Sequence, residues 1–268
     1  MPYFKNDNLQ FYYQDQGSGI PFFFQHGLGG DTSQPFGIFN PPDGIRMLSF
    51  DCRGHGRTQP LGDPGKIGMA SFSNDLLDLM TYLGIEQAVV GGISMGAAVA
   101  LNFTLRFPQH VLGLVISRPA WLDGPKGKSA DIYAMIAQLI RCWGATRGLE
   151  LFKQSGTYHE VLNLSPDAAK SLCGQFENPR AEETVAILDL LPHDAPNDDC
   201  RQWALISVPT LIIASRQDPI HPFEYAEQIA QIIPNSELHE ITPKSISKER
   251  HVLDVQAAIE SFLKHYFL

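Results

Sequence analysis

Gly92-Ile93-Ser94-Met95-Gly96 sits between two segments of opposite character, and it constrains the fold more than any other stretch. Upstream, Gln87-Ala88-Val89-Val90-Gly91 is a short apolar run suited to a buried parallel strand. Downstream, Ala97 to Phe107 is rich in Ala and Leu, lacks Pro and Gly, and suits a helix. The pentapeptide is therefore a strand-to-helix turn, the context that gives a G-x-S-x-G motif meaning. A serine driven into such a strained turn needs neighbours without Cβ, so that strand and helix pass close together. The following helix points its free N–H groups and positive dipole end at the serine, where a developing oxyanion would sit. A chance match is the alternative in a chain with 23 glycines, and the flanking strand and helix argue against it.

The rest of the chain repeats the same alternation. Leu9 to Asp15 alternates polar and apolar residues, as a half-exposed antiparallel edge strand does. Pro21 to Gln25, Ile45 to Phe50, Val111 to Ser117 and Val208 to Ser215 are solid apolar runs of buried strands, and Glu237 to Ile241 is a last short one. Ser71 to Leu83, Pro222 to Ile233 and Val252 to Phe267 read as helices. Strands alternating with helices predict an α/β protein with a mostly parallel, doubly wound sheet, whose ligands sit beyond the carboxyl ends of the strands. From Pro119 to about Leu205 no strand-like run occurs, and Ile132–Trp143, Thr146–Gln154, Pro166–Gln175 and Ala181–Leu191 look helical. This predicts a core of 1–118 and 206–268, with 119–205 a helical insertion after the sixth strand, beginning above Ser94.

Composition narrows the function. The chain's 268 residues carry a formal net charge of -9, which argues against nucleic acid or an anionic membrane surface as partner. No apolar stretch approaches a membrane span, and the amino terminus lacks a charged-then-apolar signal layout. Four scattered cysteines, without C-x-x-C or zinc-type histidine spacing, read as free thiols in a reducing compartment. The expectation is a cytoplasmic protein that acts on a small molecule and uses no metal or other cofactor.

A serine hydroxyl needs a base within hydrogen-bond reach and a group that orients that base. Position filters the nine histidines and the carboxylates. Asp218 follows the Val208–Ser215 strand, and His251 follows the last strand, at the opening of the final helix. The order Ser94, Asp218, His251 is that of α/β hydrolases. Asp123, after the Val111–Ser117 strand, is the rival acid. His239 and His265 lie inside a strand and a helix, and His26, Asp51, Arg53 and His55 read as braces of the loops. Arg118 and Trp121, where the insertion begins, are the candidates for substrate contact. For Arg118 the alternative is an ion pair with an acid of the insertion. Trp121, with Tyr133, Trp143 and Phe152, is otherwise read as packing within the insertion.

These residues carry a resemblance. His26-Gly27-Leu28-Gly29, Asp51-x-Arg53-Gly54-His55-Gly56, Gly92-Ile93-Ser94-Met95-Gly96 and Asp218 with Pro222 resemble an α/β-hydrolase-fold serine hydrolase with a helical cap, most similar to enol-lactonase-like and small-molecule esterase members. The resemblance covers the chain except the insertion. It implies that the backbone N–H groups of Leu28 and Met95 form the oxyanion hole. Two positions depart from the pattern: Arg250, not glycine, precedes His251, and Ala97 stands where relatives often have a second glycine. The implied function is hydrolysis of a small ester or lactone through an acyl-enzyme. Carbon–carbon bond hydrolysis and cofactor-free perhydrolysis run on the same triad, and a slow-turnover ligand receptor is the non-enzymatic alternative.

Overall fold

The computed structural model describes residues 2–125 and 128–268; Met1 and the Lys126-Gly127 step of the insertion lie outside the described residues. Eight strands form one sheet: β1 Tyr3–Asn6, β2 Leu9–Gly17, β3 Gly19–Gln25, β4 Gly44–Phe50, β5 Ala88–Ile93, β6 Val111–Ser117, β7 Thr210–Ala214 and β8 Ser236–Glu240. Their spatial order is β1-β2-β4-β3-β5-β6-β7-β8. The first two joints are antiparallel and every other joint is parallel. The Leu9 strand is therefore not the edge that its alternation suggested. A short strand at residues 3–6 pairs with its outer side, Tyr3 opposite Tyr12 and Asn6 opposite Leu9.

The run Phe22-Phe23-Phe24 explains why these strands lack alternation. Phe23 packs into the core on one face, among Phe72, Leu76, Val99 and Phe103. Phe22 and Phe24 pack on the other, against Phe39, Ile259 and Phe262. A strand with period two covered on both faces must be apolar at every position. Each such phenylalanine is fully buried, which stabilises the fold by roughly 1.5–3 kcal/mol. The first face is covered by α2 (Met69–Tyr82), α3 (Met95–Arg106) and α8 (Phe223–Ile232), the second by α1 (Ser33–Ile38) and α9 (Lys248–Phe267).

Between β6 and β7 the described residues form only helices and loops: α4 Lys128–Lys153, α5 Gly156–Leu164, α6 Pro166–Glu177 and α7 Ala186–Leu190, followed by short 3-10 turns. The two expected helices, Ile132–Trp143 and Thr146–Gln154, are the two segments of α4, parted at Gly144, whose φ 72, ψ 166 is not helical. The sequence reading has no counterpart of α5, which is capped by Ser155 accepting from Tyr158 N–H. Its Gly156 and Asn163 weaken helical propensity, and tertiary packing overrides them.

The carboxyl-terminal helix starts four residues earlier than its periodicity suggests. Ser247 caps it, its hydroxyl accepting from Arg250 N–H at 3.1 Å. His251 thus lies inside the first turn of a helix, its own N–H bonded to Ser247 O at 3.0 Å, rather than in a free loop.

Candidate active site

Strand β5 ends at Ile93 and α3 begins at Met95, so Ser94 alone makes the turn, at φ 56, ψ −109. The two motif glycines are required by contact. A Cβ on Gly92 would lie 2.2 Å from the carbonyl carbon of Gly96, and one on Gly96 would lie 2.4 Å from Gln25 O. Neither backbone could yield without opening the sheet.

The same kind of strain recurs on the neighbouring strands. Of the five non-glycine residues with positive φ among the described residues, three end consecutive strands: Ser94 after β5, Arg118 after β6 (φ 51) and Gln217 after β7 (φ 61). Left-handed backbone curls each chain over the carboxyl edge of the sheet instead of letting it run on. Such strain is held only where the surroundings over-determine it, and it concentrates at functional sites. Here the Arg118 N–H is fixed to Ile213 O at 2.7 Å.

After β7 the chain makes a β-turn, with His221 N–H reaching Asp218 O at 3.3 Å and Pro219 at the second position. Asp218 Oδ1 holds the turn from inside, accepting from the N–H groups of Ile220 (3.2 Å) and His221 (3.3 Å). The turn brings residue four back beside residue one. His221 Nδ1 donates to Asp218 Oδ2 at 2.9 Å, and His221 Nε2 accepts from Ser94 Oγ at 2.9 Å. The resulting serine–histidine–carboxylate chain is buried, with Ser94 9% and His221 8% exposed.

This corrects the expected partner of Ser94. His251 is not the histidine in reach of the serine. It is 1% exposed, with Nδ1 donating to Thr242 O at 2.9 Å and Nε2 buried without a partner among the described residues. Burial pushes its pKa down to about 4, against the Thr242 hydrogen bond and with the help of the Lys244 and Arg118 charges. It is a neutral, enclosed side chain. The signal for His221 was in the sequence: a histidine three residues after the acid, with proline between, is the spacing a β-turn closes. The expectation that the histidine follows the last strand passed over it.

Arg118 lines the cavity around Ser94 and is also engaged within the protein. Its Nε (3.1 Å) and Nη2 (2.6 Å) both donate to Asp218 Oδ2, so it engages the carboxylate beside His221 rather than an acid of the insertion. Burial opposes the charge on Asp218, but His221 and Arg118 outweigh it and hold the carboxyl well below its usual range. Trp121 is 2% exposed, packs in the core, and is not among the residues of the cavity around Ser94. Of the insertion's other aromatics, Phe152 packs on Phe176, Trp143 is 60% exposed, and Tyr133 reaches the cavity wall.

The remaining candidates brace the loops. His26 Nδ1 donates to Gly27 O (2.9 Å) while Nε2 accepts from Cys52 N–H (3.1 Å), and burial pushes the pKa of the ring down. Asp51 accepts from Thr32 N–H and Arg57 N–H, both at 2.7 Å. Arg53 makes a bidentate pair with buried Asp75. Asp123, the rival acid, accepts from Cys200 N–H at 2.9 Å and ties the start of the insertion to its end. Asp218→Asn is therefore expected to lower turnover about ten-thousandfold, because an amide disturbs the ring's tautomer and cannot stabilise the imidazolium. Asp123→Asn should leave turnover near wild type, and steady-state rates of the two variants check this. The greater loss in Asp123→Asn would move the acid to the end of β6.

The cavity at Ser94 encloses about 80 Å³. Leu28 walls it from the loop after β3, Gln34 from α1, Ala168 and Ser171 from α6, and Lys244 from the loop after β8. Met95 is the first residue of α3, so its N–H belongs to the helix turn without intrahelical partners.

Residues 20–245 match the family model described as the alpha/beta hydrolase fold. The 2-hydroxymuconate semialdehyde hydrolase of Pseudomonas putida is 29% identical, over 84% of this chain and 80% of its own. The 3-oxoadipate enol-lactonase 2 of Acinetobacter baylyi is 25% identical, over 91% and 88%. Among solved structures, the enol-lactonase from Burkholderia xenovorans LB400 superposes with a TM-score of 0.73 at 20% identity, covering 98% of this chain and 100% of that one.

Proposed function

Because the chain belongs to the alpha/beta hydrolase fold family, we propose that it hydrolyses small-molecule carboxylic esters or lactones through an acyl-enzyme on Ser94. The observation that carries this reading is the continuous hydrogen-bonded chain from Ser94 Oγ through His221 to Asp218. In the first half-reaction Oγ bonds to the substrate carbonyl carbon while its proton passes to His221 Nε2. The carbonyl π electrons move to oxygen, which the N–H groups of Leu28 and Met95 would receive as the oxyanion hole. When the tetrahedral adduct collapses, the carbon–oxygen bond to the leaving group breaks and the leaving oxygen takes the proton from Nε2. Water then attacks the acyl-enzyme, its proton going to Nε2 and on to Ser94 Oγ as the acid departs.

Asp218 stabilises the imidazolium that forms in each step and fixes the tautomer that leaves Nε2 free to accept. Arg118 keeps that carboxylate ionised and in place. The helical insertion acts as a cap, since α6 roofs the cavity, and the small enclosed volume suits a short acyl group. No helix among the described residues is long and apolar enough to cross a membrane, and a small molecule is the expected partner, in the cytoplasm.

The test is a pair of measurements on the wild-type protein. With 4-nitrophenyl butyrate, repeated release of nitrophenolate beyond one equivalent per protein is expected. A fluorophosphonate should modify one residue, mapped to Ser94 by peptide mass. A single slow burst, or labelling elsewhere, would refute the reading and favour a ligand receptor.

A further inference from the structure

Beside the serine, the site carries one more positive charge than the fold pairs. Three cations gather there: Arg118 at the end of β6, Lys244 after β8, and Lys248 in the first turn of α9. They face two carboxylates, Asp167 on α6 and Asp218 after β7. Arg118 donates to Asp218, and Lys248 pairs with Asp167 at 2.7 Å, so both carboxylates are already met. Lys244 makes no hydrogen bond or ion pair among the described residues, although it is half-buried and lines the cavity that holds Ser94. His221 and Tyr133 line the same cavity and, with His251, complete the titratable surround; burial pushes the Tyr133 hydroxyl up, and His251 is neutral near pH 7.

We propose that Lys244 anchors a carboxylate of the substrate, within one side chain's reach of the carbonyl that Ser94 attacks; this rests on the hydrolase reading of the site. A half-buried ammonium with no hydrogen-bonded counter-ion is costly, and an arriving carboxylate supplies the acceptors that Asp167 and Asp218 give to other cations. A lysine suits this place because its point charge sits on a flexible stem and needs no fixed fork. Arg118, its planar fork already committed to Asp218, is poorly free to do the same. The anchor selects acids and half-esters over neutral esters of equal length.

The surroundings also give the subsite a pH dependence. Burial and the Arg118 charge push Lys244 down to about 8, with Asp167 and Asp218 opposing. The ammonium is therefore full below that value and is lost as pH rises through it. Carboxylate recognition should weaken above about pH 8, in the range where a neutral ester loses no contact.

Two probes of equal chain length test this, 4-nitrophenyl valerate and mono-4-nitrophenyl glutarate, with spontaneous hydrolysis subtracted. Lys244→Met is expected to lower the glutarate-to-valerate ratio of kcat/KM about tenfold, or 1.4 kcal/mol, chiefly through KM, and Lys244→Arg should restore part of it. In wild type the KM for the glutarate ester should rise above about pH 8, and in Lys244→Met it should be flat there. Calorimetric titration with free glutarate reads the subsite without turnover, and binding should be lost in Lys244→Met. An unchanged ratio, or glutarate affinity that is absent in wild type or unmoved by the substitution, overturns the proposal. If neither ester is turned over while glutarate binds wild type and not Lys244→Met, the subsite stands and the hydrolase reading falls.

Discussion

Replacing His221 by Gln is expected to lower ester turnover by 10⁵- to 10⁶-fold, on the order seen when the base of a serine triad is removed, whereas His251→Gln should leave turnover close to wild type. Glutamine can offer hydrogen-bonding atoms to Ser94 and Asp218, but it cannot take up the serine proton at neutral pH. The contrast between the two positions is geometric. His221 Nε2 lies 2.9 Å from Ser94 Oγ, while His251 is enclosed in the first turn of α9 and spends its Nδ1 proton on Thr242 O. To reach the serine, His251 would have to unwind a capped helix start, breaking its bond to Ser247 O and the Ser247 hydroxyl bond to Arg250 N–H. Each such bond contributes about 1 kcal/mol. Comparing kcat/KM on 4-nitrophenyl butyrate, with melting curves to show that both variants fold, decides the matter. Full activity in His221→Gln, with loss in His251→Gln, would return the base to the helix.

The two histidines also mark what could be read in the sequence. Ser94 was legible because everything that makes it special is local: an apolar strand, a turn between glycines, a helix without breakers. Asp218 was legible for a similar reason, lying just past a buried strand. The histidine that lies beside Ser94 was hidden by two short features at the level of single residues. One was the β-turn from Asp218 to His221, whose proline and i to i+3 spacing bring the ring back to the carboxylate. The other was the cap at Ser247, which moves the start of the last helix ahead of His251 and withdraws that ring from the loop. Neither changes a hydrophobic pattern, so periodicity is blind to both.

The partition of the cations was illegible for a different reason. Arg118 and Asp218 are separated by 100 positions, and Asp167 and Lys248 by a comparable distance along the chain. Which lysine or arginine is left over depends on how the insertion settles over the sheet edge. Sequence identifies an arginine next to a strand end; only the packed structure shows that Asp218 has claimed it and that Lys244 has no such claim. The edge position of the Leu9 strand failed likewise, because the four residues that cover it are too few to register as a strand of their own.

Ser94→Ala is expected to lower turnover about a millionfold and to abolish phosphonate labelling, and its comparison with Ser94→Gly tests the strain at the turn. Alanine removes the hydroxyl and leaves His221 Nε2 without the proton it accepts, so attack on the carbonyl has no nucleophile. The backbone is unaltered: a Cβ still occupies φ 56, ψ −109, a conformation that costs an L residue about 1–3 kcal/mol. Glycine adopts that conformation freely, at the expense of about 0.5–1 kcal/mol from the greater freedom of the unfolded chain. The balance favours glycine. Ser94→Gly should be as inactive as Ser94→Ala and more stable by about 1 kcal/mol, a rise of roughly 2 °C in melting temperature for a chain of this size. Calorimetry and the ester assay on the three proteins give the comparison. More than about a tenth of wild-type turnover in either variant would rule out Ser94 as the nucleophile. Equal stability of the two variants would mean that the strand-to-helix turn stores no strain, and that the glycines of the motif serve close packing alone.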